Sequence, residues 1–268
     1  MSSHWDIHAT QWNNIEGPLR PSVSDLQILH SWVTTAIGLS SQPFNVLILG
    51  ATPELAAFPW PENTHLFTID ANLAMIKSQL SQEQLSLSPF KLVGNWLQLP
   101  LPDASMHLVV GDGCYSMLAG KDYDALSNEI IRVLQPNGHF FMRFFVRPAA
   151  QESIECIQND FLSGTIENFH ILKWRIAMAL HGSLEQGVCL KDIWNTWNKY
   201  FKHHTHCLPW SKQTVNTIDA YKNNPAFYTF PTFTEIGLKL GCKFNQLEVF
   251  FPTYALGERC PSFKLKPA

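Results

Sequence analysis

The chain has 268 residues, of which 46% are hydrophobic and 15% are charged, so it can bury one sizeable core with room for a subdomain. The net charge of -3 gives no electrostatic case for nucleic-acid binding, and no apolar run approaches the roughly 20 residues that cross a bilayer. The first residues do not form a secretory signal, and the six cysteines contain no Cys-x-x-Cys pair, which favours reduced thiols. We therefore expect a cytoplasmic monomer or homodimer that binds neither nucleic acid nor membranes.

The N-terminal region combines a polar segment with a helix. Residues 1–21 are mostly polar but contain Trp5 and Trp12, and large aromatic side chains seldom lie free in solvent. Either these tryptophans cover the outside of the core, or the segment folds over a bound ligand. An apolar stripe then predicts a helix over 24–37, which packs on the sheet and is capped by a serine at position 22 or 24.

Two apolar runs follow, and each ends at a residue of a different kind. The run 46–49 ends at Gly50, and the run 66–69 ends at Asp70. Continuous apolar runs are typical of strands that are buried on both faces of a parallel sheet, and a crossover helix connects such strands. A ligand would bind outside the carboxyl ends of these strands, beside Gly50 and Asp70.

The loop after Gly50 indicates what kind of ligand this is. A dinucleotide fingerprint needs three glycines so that the backbone can approach a pyrophosphate, and only Gly50 is present. Thr52 fits the cap of a short crossover helix and Pro53 its first position, but Pro53 offers no N–H to a phosphate. The loop therefore argues against NAD and FAD and favours a nucleoside without phosphates, such as S-adenosylmethionine (SAM). Asp70 would accept hydrogen bonds from ribose hydroxyls, unless it is an incidental residue of a structural unit.

Further strands and helices alternate as far as residue 146. The pattern predicts a helix over 71–80, strands over 90–93 and 107–110, a helix over 122–134 capped by Asp122, a turn over 135–138 and a strand over 139–146. Arg143 is unexpected on a buried strand, so it is either paired or close to the ligand.

The strand pattern stops between Pro148 and Pro231. Helices fit this stretch better, over 151–162, 165–181 and 188–201. An all-helical insertion in an α/β domain is a natural lid over the site. We therefore predict an N-terminal segment with an α/β core over 1–147, a helical lid over 148–230 and a C-terminal completion of the core over 231–268.

The last part of the chain completes the predicted sheet. A helix over 234–240, capped by Gly241, precedes strands over 244–251 and 260–266. These two strands can pair as an antiparallel edge, which is common in mixed sheets. The predicted fold is a doubly wound, Rossmann-like, mostly parallel sheet with helices on both faces.

Five stretches resemble sequence motifs of one enzyme family in their order and spacing. Residues 46–50 resemble the first motif, and residues 70–75 resemble the ribose-binding acidic motif with its Met. Residues 94–96 resemble the motif on the adenine side. Residues 101–109 resemble the motif along the fourth strand, and residues 130–138 resemble the motif before the fifth strand. The chain thus resembles the class I SAM-dependent methyltransferases over 45–147, and more loosely over 228–266.

The resemblance implies SAM as the cofactor and assigns residues to it. The first motif would contact the methionine part, Asp70 the ribose, the next motif the adenine, and the end of the fourth strand the sulfonium. The cofactor-binding residues would then be Gly50, Ala51, Thr52, Asp70, Ala71, Asn72, Met75, Gly94, Asn95, Trp96, Asp112 and Gly113.

Several positions depart from the pattern of the family. Thr52 and Glu54 stand where the first motif usually has glycines. Asn95 replaces the acidic residue on the adenine side, and His107 replaces an Asp before the fourth strand. The Asn95 amide can still donate or accept at an adenine amino group. Glu54 would either accept from the amino group of SAM or repel its carboxylate.

The sequence gives weaker indications about the methyl acceptor. A base is needed only if the acceptor must lose a proton, and no residue stands out as that base. Tyr115, Arg143 and Arg147 are candidates for substrate contact, the arginines if the substrate is anionic; a core tyrosine and ion pairs are the alternatives. The run His203-His204-Thr205-His206-Cys207 offers zinc-type ligands, but its spacing matches no standard site, so we predict a solvated loop and no metal.

Two functions are compatible with these residues. The first is a SAM-dependent methyltransferase that acts on a small molecule under a helical lid, and Asp70 and Asp112 favour it. The second is a methyltransferase-like fold without catalysis that serves as a binding or partner subunit, and the missing glycines of the first motif favour it. A NAD-dependent enzyme ranks third because of the same glycines.

Overall fold

A seven-stranded sheet lies at the centre of the computed structural model, which describes residues 4–37, 43–80, 85, 87–203 and 209–268. The strands are β1 (Phe44–Leu49), β2 (Thr64–Asp70), β3 (Phe90–Val93), β4 (Met106–Asp112), β5 (Leu134–Arg143), β6 (Val188–Cys189), β7 (Phe227–Tyr228), β8 (Phe244–Phe250) and β9 (Ser262–Pro267). The order in the main sheet is β3-β2-β1-β4-β5-β9-β8, and β6 and β7 form a separate two-stranded sheet.

The main sheet is parallel from β1 to β5. β1 pairs with β2 and β4, β2 also pairs with β3, and β4 also pairs with β5. Residues 46–49 of β1 are fully buried, as a strand covered on both faces must be. β9 runs antiparallel to both β5 and β8, so the two C-terminal strands pair with each other as predicted. The predicted fold class is confirmed.

The helices flank the sheet and build the stretch between β5 and β8. They are α1 (His4–Gln11), α2 (Val23–Ile37), α3 (Pro53–Ala56), α4 (Leu73–Gln79), α5 (Tyr123–Val133), α6 (Ile154–Leu162), α7 (Phe169–Leu180), α8 (Leu190–Tyr200), α9 (Lys212–Asn216) and α10 (Phe233–Gly241). Among the described residues, none of the helices combines the length and the apolar character that a bilayer crossing requires.

Side-chain caps begin several helices, although not all at the predicted residues. The Ser22 hydroxyl accepts from the Asp25 N–H at the start of α2, and the Asn72 side chain accepts from the Met75 N–H at the start of α4. Pro53 begins α3 as predicted, but the Thr52 side chain makes no cap hydrogen bond.

Two further caps differ from the prediction. A short 3-10 turn, Gly120–Asp122, comes before α5, and the Asp122 side chain makes no cap bond. Gly241 lies inside α10, and Cys242 is the residue that ends the helix with right-handed backbone angles. The C-terminal end of α10 therefore does not use the left-handed conformation for which a glycine cap is selected.

The predicted turn over 135–138 lies within β5. Met106 pairs with Leu134, and Leu108 pairs with His139, so four residues of β5 (135–138) lie opposite a single residue of β4, His107. The prediction that residues 135–138 form a separate turn is therefore wrong, because they belong to β5. The turn-type residues bulge out of a strand that continues on either side of them.

The stretch over 148–230 contains α6 to α9, with its own hydrophobic core around Phe169 and Trp197. It is not wholly helical, because β6 and β7 pair antiparallel within it. Strands of two residues are too short to leave an alternating pattern in the sequence. The division of the chain into a core and a lid stays a prediction.

Candidate active site

A cavity of about 440 Å³ lies at the carboxyl ends of β1, β2 and β4. Its walls come from the loops after these strands, from the N-terminal region with α1, and from side chains of the 148–230 stretch. Of the predicted cofactor residues, those that line it are Gly50, Ala51, Thr52, Asp70, Ala71, Asn72, Met75, Asn95, Trp96 and Asp112.

Asp70 is held by backbone groups from two strand ends. Its Oδ2 accepts from the Ala51 N–H at 3.0 Å, and its Oδ1 accepts from the Asn72 N–H at 2.7 Å. Burial raises the pKa of the Asp70 carboxyl, and the two N–H groups counteract part of this rise. Each carboxylate oxygen can still accept another hydrogen bond. Asp70 therefore offers two acceptors at the cavity wall, as a pair of ribose hydroxyls requires.

Gly50 leaves space beside Asp70. Its φ of +94° is one that L side chains rarely adopt. A Cβ at this position would lie 3.6 Å from the Trp96 ring and 3.9 Å from the Asp70 carboxylate and the Thr52 hydroxyl. The indole N–H of Trp96 donates to the Ile69 carbonyl at 2.9 Å, which fixes the ring. The space enclosed by these three side chains is therefore kept free of the chain's own atoms.

Two predicted cofactor residues, Gly94 and Gly113, do not line the cavity. A Cβ on Gly94 would lie 2.9 Å from the Ile69 side chain. Gly113 has a φ of +65°, and a Cβ there would lie 2.5 Å from the Phe145 ring. Both glycines thus serve close packing behind the cavity wall.

Arg143 is paired, and it does not line the cavity. Its Nε and a terminal nitrogen donate to the two carboxylate oxygens of Asp112 at 2.6 and 3.0 Å. Its other terminal nitrogen donates to the Pro18 carbonyl at 2.9 Å and to the Tyr254 hydroxyl at 3.0 Å. Burial alone would lower the pKa of Arg143, but the Asp112 charge and its hydrogen bonds, with Tyr254 and Asp25, raise it well above its ordinary value. Arg143 therefore orients Asp112, which does line the cavity.

The other two residues predicted to contact the substrate also lie elsewhere. Tyr115 is 1% exposed, and its hydroxyl shares a hydrogen bond of 2.8 Å with Ser127 in the core. A terminal nitrogen of Arg147 donates to both Glu235 carboxylate oxygens at 3.2 Å. The structure thus shows Tyr115 as a core tyrosine and Arg147 in an ion pair, which are the alternatives that the sequence left open.

Glu54, whose role the sequence left ambiguous, is bound to an arginine. The Arg20 Nε donates to the Glu54 carboxylate at 2.5 Å, and the Arg20 guanidinium lies 5.4 Å from the centre of the Trp12 ring. The pair compensates the negative charge that the departure from glycine brings to the first motif. It also fastens the segment before α2 to α3.

The N-terminal segment covers part of the cavity. Trp5, His8 and Trp12 line it. α1 is held against α4 by hydrogen bonds from the Asn72 side chain to Asp6 at 2.8 Å and from the Gln79 side chain to the Ala9 carbonyl at 3.0 Å. Of the two possibilities for the tryptophans, the structure places both rings at the cavity.

Sequence reasoning missed the residues that build the far wall. Lys173 and Trp174 of α7, Tyr221 and Tyr228 line the cavity together with His8. One local signal exists, because Lys173 interrupts the apolar run Ile171-Leu172-Lys173-Trp174 of a helix that is buried nearly all round. A charged residue in such a run is rarely buried without a specific reason.

No metal site follows from the described residues. Glu152, Cys156 and Asp160 are close enough to hold an ion, but both carboxylates form ion pairs with Arg175, and Glu152 also pairs with Arg259. His203 is exposed, and residues 204–208, with the rest of the predicted histidine-rich loop, lie outside the described residues.

Comparison with known proteins identifies this arrangement. Residues 49–142 match the sequence model of a family described as a methyltransferase domain, and this match spans the strand ends that carry Gly50, Asp70 and Asp112. The chain carries a methyltransferase domain over these residues. No curated protein matches the sequence.

Solved structures share the methyltransferase fold at low sequence identity. A protein from Rhodobacter sphaeroides, provisionally named a zinc-dependent alcohol dehydrogenase, has a TM-score of 0.60 and 10% identity, with 100% of this chain and 99% of that chain covered. Geranyl diphosphate C-methyltransferase from Streptomyces coelicolor has a TM-score of 0.51 and 7% identity, with 90% and 76% covered. 1,6-Didemethyltoxoflavin-N1-methyltransferase from Burkholderia thailandensis has a TM-score of 0.50 and 12% identity, with 100% and 91% covered. At such identities the likeness shows the fold alone.

The residues around the cavity fit SAM. The free space beside Gly50 adjoins a half-buried carboxylate, that of Asp70, with two open acceptor positions, as an unphosphorylated ribose needs. Trp96 presents a fixed aromatic surface next to it. Pro53 removes an N–H from the start of α3, so this helix lacks the donor set that a pyrophosphate requires.

Proposed function

We propose that the methyltransferase domain transfers the methyl group of SAM to a small molecule that binds in the same cavity. The observation that supports this most strongly is that the strand-end residues share one cavity with the aromatic wall formed by Trp5, Trp174 and Tyr228. A volume of about 440 Å³ lies within the range of small-molecule pockets, roughly 300–1,000 Å³. A macromolecular acceptor would need an open surface at this place.

The chain's own residues would position the two reactants. Asp70 would accept the ribose hydroxyls, Asn72 and Met75 would flank the adenosine, and Asn95 and Trp96 would contact the adenine. Bound SAM supplies an activated methyl group, so the protein mainly aligns the acceptor and excludes water. Asp112, oriented by Arg143, would complete the wall beside the reacting atoms.

The covering parts of the chain would act as two lids. We propose that α1 with Trp5 and Trp12 forms one, and that residues 148–230 form the other. α1 packs against residues 217–221 as well as against α4, so the two lids contact each other over the cavity. The monomeric or dimeric state and the cytoplasmic location stay predictions.

A non-catalytic binding subunit is the second candidate function. The first motif carries Thr52 and Glu54 in place of glycines, and Glu54 forms an ion pair with Arg20 that does not reach the cavity. Both functions predict SAM binding. An assay with methyl-labelled SAM and a mixture of small-molecule acceptors distinguishes them. The enzyme should yield labelled products and S-adenosylhomocysteine, and the binding subunit should yield neither.

Asp70→Ala should weaken SAM binding by about 1.5–3 kcal/mol, the range for hydrogen bonds to a charged group. Calorimetry with SAM and with S-adenosylhomocysteine measures this loss. Asp192→Ala, which removes an exposed carboxylate from the first turn of α8, is the matched control and should leave both affinities unchanged. If the wild-type protein binds neither compound, the proposed function is wrong; if Asp70→Ala binds as the wild type does, the role of Asp70 is wrong.

Hydrogen exchange should show both lids closing on the ligand. Saturation with S-adenosylhomocysteine should slow exchange of the amides of α1 and of residues 217–221, because opening these segments would expose the cavity. α10 contributes no residue to the cavity and is the internal control. Unchanged exchange in α1, with slower exchange at the strand ends, would show that the N-terminal segment is structural only.

A further inference from the structure

The far wall of the cavity contains a lysine without a hydrogen-bond partner. Lys173 is fully buried, and its Nζ has no hydrogen-bond partner among the described residues. It is the only lysine or arginine of the described residues that lines the cavity. Its ammonium nitrogen lies 5.3 Å from the centre of the Tyr221 ring. Nearly all buried polar groups in folded proteins have a partner, so this one points to a ligand.

A second unpartnered polar atom belongs to the same wall. The Nδ1 of His8 is buried and makes no hydrogen bond among the described residues. The tyrosines nearby are satisfied, since the Tyr221 hydroxyl donates to the Tyr228 hydroxyl at 3.2 Å, and His4 Nε2 lies 3.4 Å from the latter. Among the described residues, the open hydrogen-bonding positions of this wall are therefore those of Lys173, His8 and the indole N–H of Trp174.

We propose, resting on the proposed function, that the acceptor is an aromatic molecule with an acidic hydroxyl group, and that Lys173 is the catalytic base that receives the hydroxyl proton. The aromatic part would pack among Trp5, Trp174 and the tyrosines, and the oxygen would hydrogen bond to Lys173 Nζ. The activity would then be an O-methylation of a phenol or enol.

The proposed step balances in atoms and charge. The neutral amine of Lys173 takes the proton of the acceptor hydroxyl and becomes an ammonium. The acceptor oxygen forms a bond to the methyl carbon with a lone pair, and the methyl–sulfur bond breaks with its electron pair going to sulfur, which gives S-adenosylhomocysteine. The ammonium returns its proton to water when the products leave.

The electrostatic surroundings favour this role. Burial lowers the pKa of Lys173 to about 7, so the neutral amine is well populated at neutral pH. The histidines near Lys173 stay neutral at this pH. Burial, followed by the Lys173 charge, lowers the pKa of His4, His8 and His170. The Asp6 charge partly opposes this shift at His4. Burial raises the pKa of Tyr221 and Tyr228, so neither competes as a base.

The test uses 4-nitrophenol, an acidic aromatic hydroxyl whose ionised form absorbs visible light, with the full chain saturated with S-adenosylhomocysteine. The bound dye should ionise at a lower pH than the free dye in the wild type, because the proton moves to Lys173. In Lys173→Met it should ionise at a higher pH than the free dye, so that the two proteins differ by about 1–3 pH units. Lys199→Met, which removes an exposed lysine of α8, should behave as the wild type.

Two controls separate the possible failures. 4-Nitroanisole has no hydroxyl proton, so its affinity should be the same for the wild type and Lys173→Met. Lys173→Met should fold, because it replaces an unpaired buried amine by an apolar chain of similar length; if it does not, the titration of dye bound to the wild type decides alone. Circular dichroism monitors the fold of each variant, and calorimetry measures whether it still binds S-adenosylhomocysteine.

Each other outcome has a definite meaning. Identical ionisation of the dye in the wild type and in Lys173→Met would overturn the assignment of Lys173. Failure of the wild type to bind 4-nitrophenol while it still binds S-adenosylhomocysteine would overturn the acceptor class and leave the proposed function standing. Failure to bind S-adenosylhomocysteine would overturn the proposed function itself.

Discussion

Arg143→Met should lower the free energy of unfolding by about 3–5 kcal/mol, the cost of removing one partner from a buried ion pair. The guanidinium makes four hydrogen bonds, two to Asp112, one to the Pro18 carbonyl and one to the Tyr254 hydroxyl. The side chains of Arg143 and Asp112 are 4% and 7% exposed, so water cannot replace the lost donors. Urea denaturation followed by circular dichroism measures the change.

The control for this prediction is an exposed ion pair. Lys239 and Asp124 lie 3.6 Å apart with side chains that are 43% and 53% exposed, and Lys239→Met should cost less than about 1 kcal/mol. Adding Asp112→Asn to Arg143→Met should recover part of the loss, because it removes the uncompensated buried charge. If Arg143→Met costs no more than Lys239→Met, the network does not stabilise the fold as described.

Arg143 also shows how far sequence reasoning reaches. An arginine on a buried strand must be paired or close to a ligand, and this much was predictable from residue type and pattern. Its partner was not predictable, because the pairing depends on the register between β4 and β5, which places Asp112 directly opposite Arg143. That register in turn includes the bulge over 135–138, which the sequence suggested only as a turn.

The two walls of the cavity also differ in how far the sequence predicts them. Gly50, Asp70, Asn95 and Asp112 each end a strand or lie within two residues of its end, and apolar runs fix the ends of strands locally. Parallel strands then bring their carboxyl ends to one edge of the sheet, so the sequence predicted these residues together. The opposite wall is formed by residues of α1 and of the stretches 173–174 and 221–228, which meet only through the packing of α1 and of the insertion on the sheet. No local pattern encodes that packing.

The protein should lose stability as the pH falls from about 6.5 to 4, more steeply than its surface histidines would cause. His181 is 1% exposed, and both its ring nitrogens lack a hydrogen-bond partner among the described residues. Burial, followed by the charge of Arg147, lowers the pKa of His181 to about 4. Burial, followed by the charge of Lys173, likewise lowers the pKa of His4 to about 4.

The direction of the effect follows from which state binds protons. In the unfolded chain these histidines have a pKa of about 6.5, whereas the folded protein keeps them neutral down to about pH 4. Between these values the unfolded state binds more protons, so acid favours unfolding, and the stability is fully present above about pH 6.5. A pKa difference of this size corresponds to roughly 3 kcal/mol for each histidine. Asp70 opposes the trend slightly, because its raised pKa lets the folded state take up a proton first.

Urea denaturation between pH 4 and 7.5 checks the prediction. His181→Leu should have a shallower loss of stability with falling pH, by about one bound proton, since the apolar side chain cannot be protonated in either state. His30→Gln removes an exposed histidine and should leave the slope unchanged. An equal slope in wild type and His181→Leu would mean that the folded protein admits a proton at His181, which its closed and unpartnered position argues against.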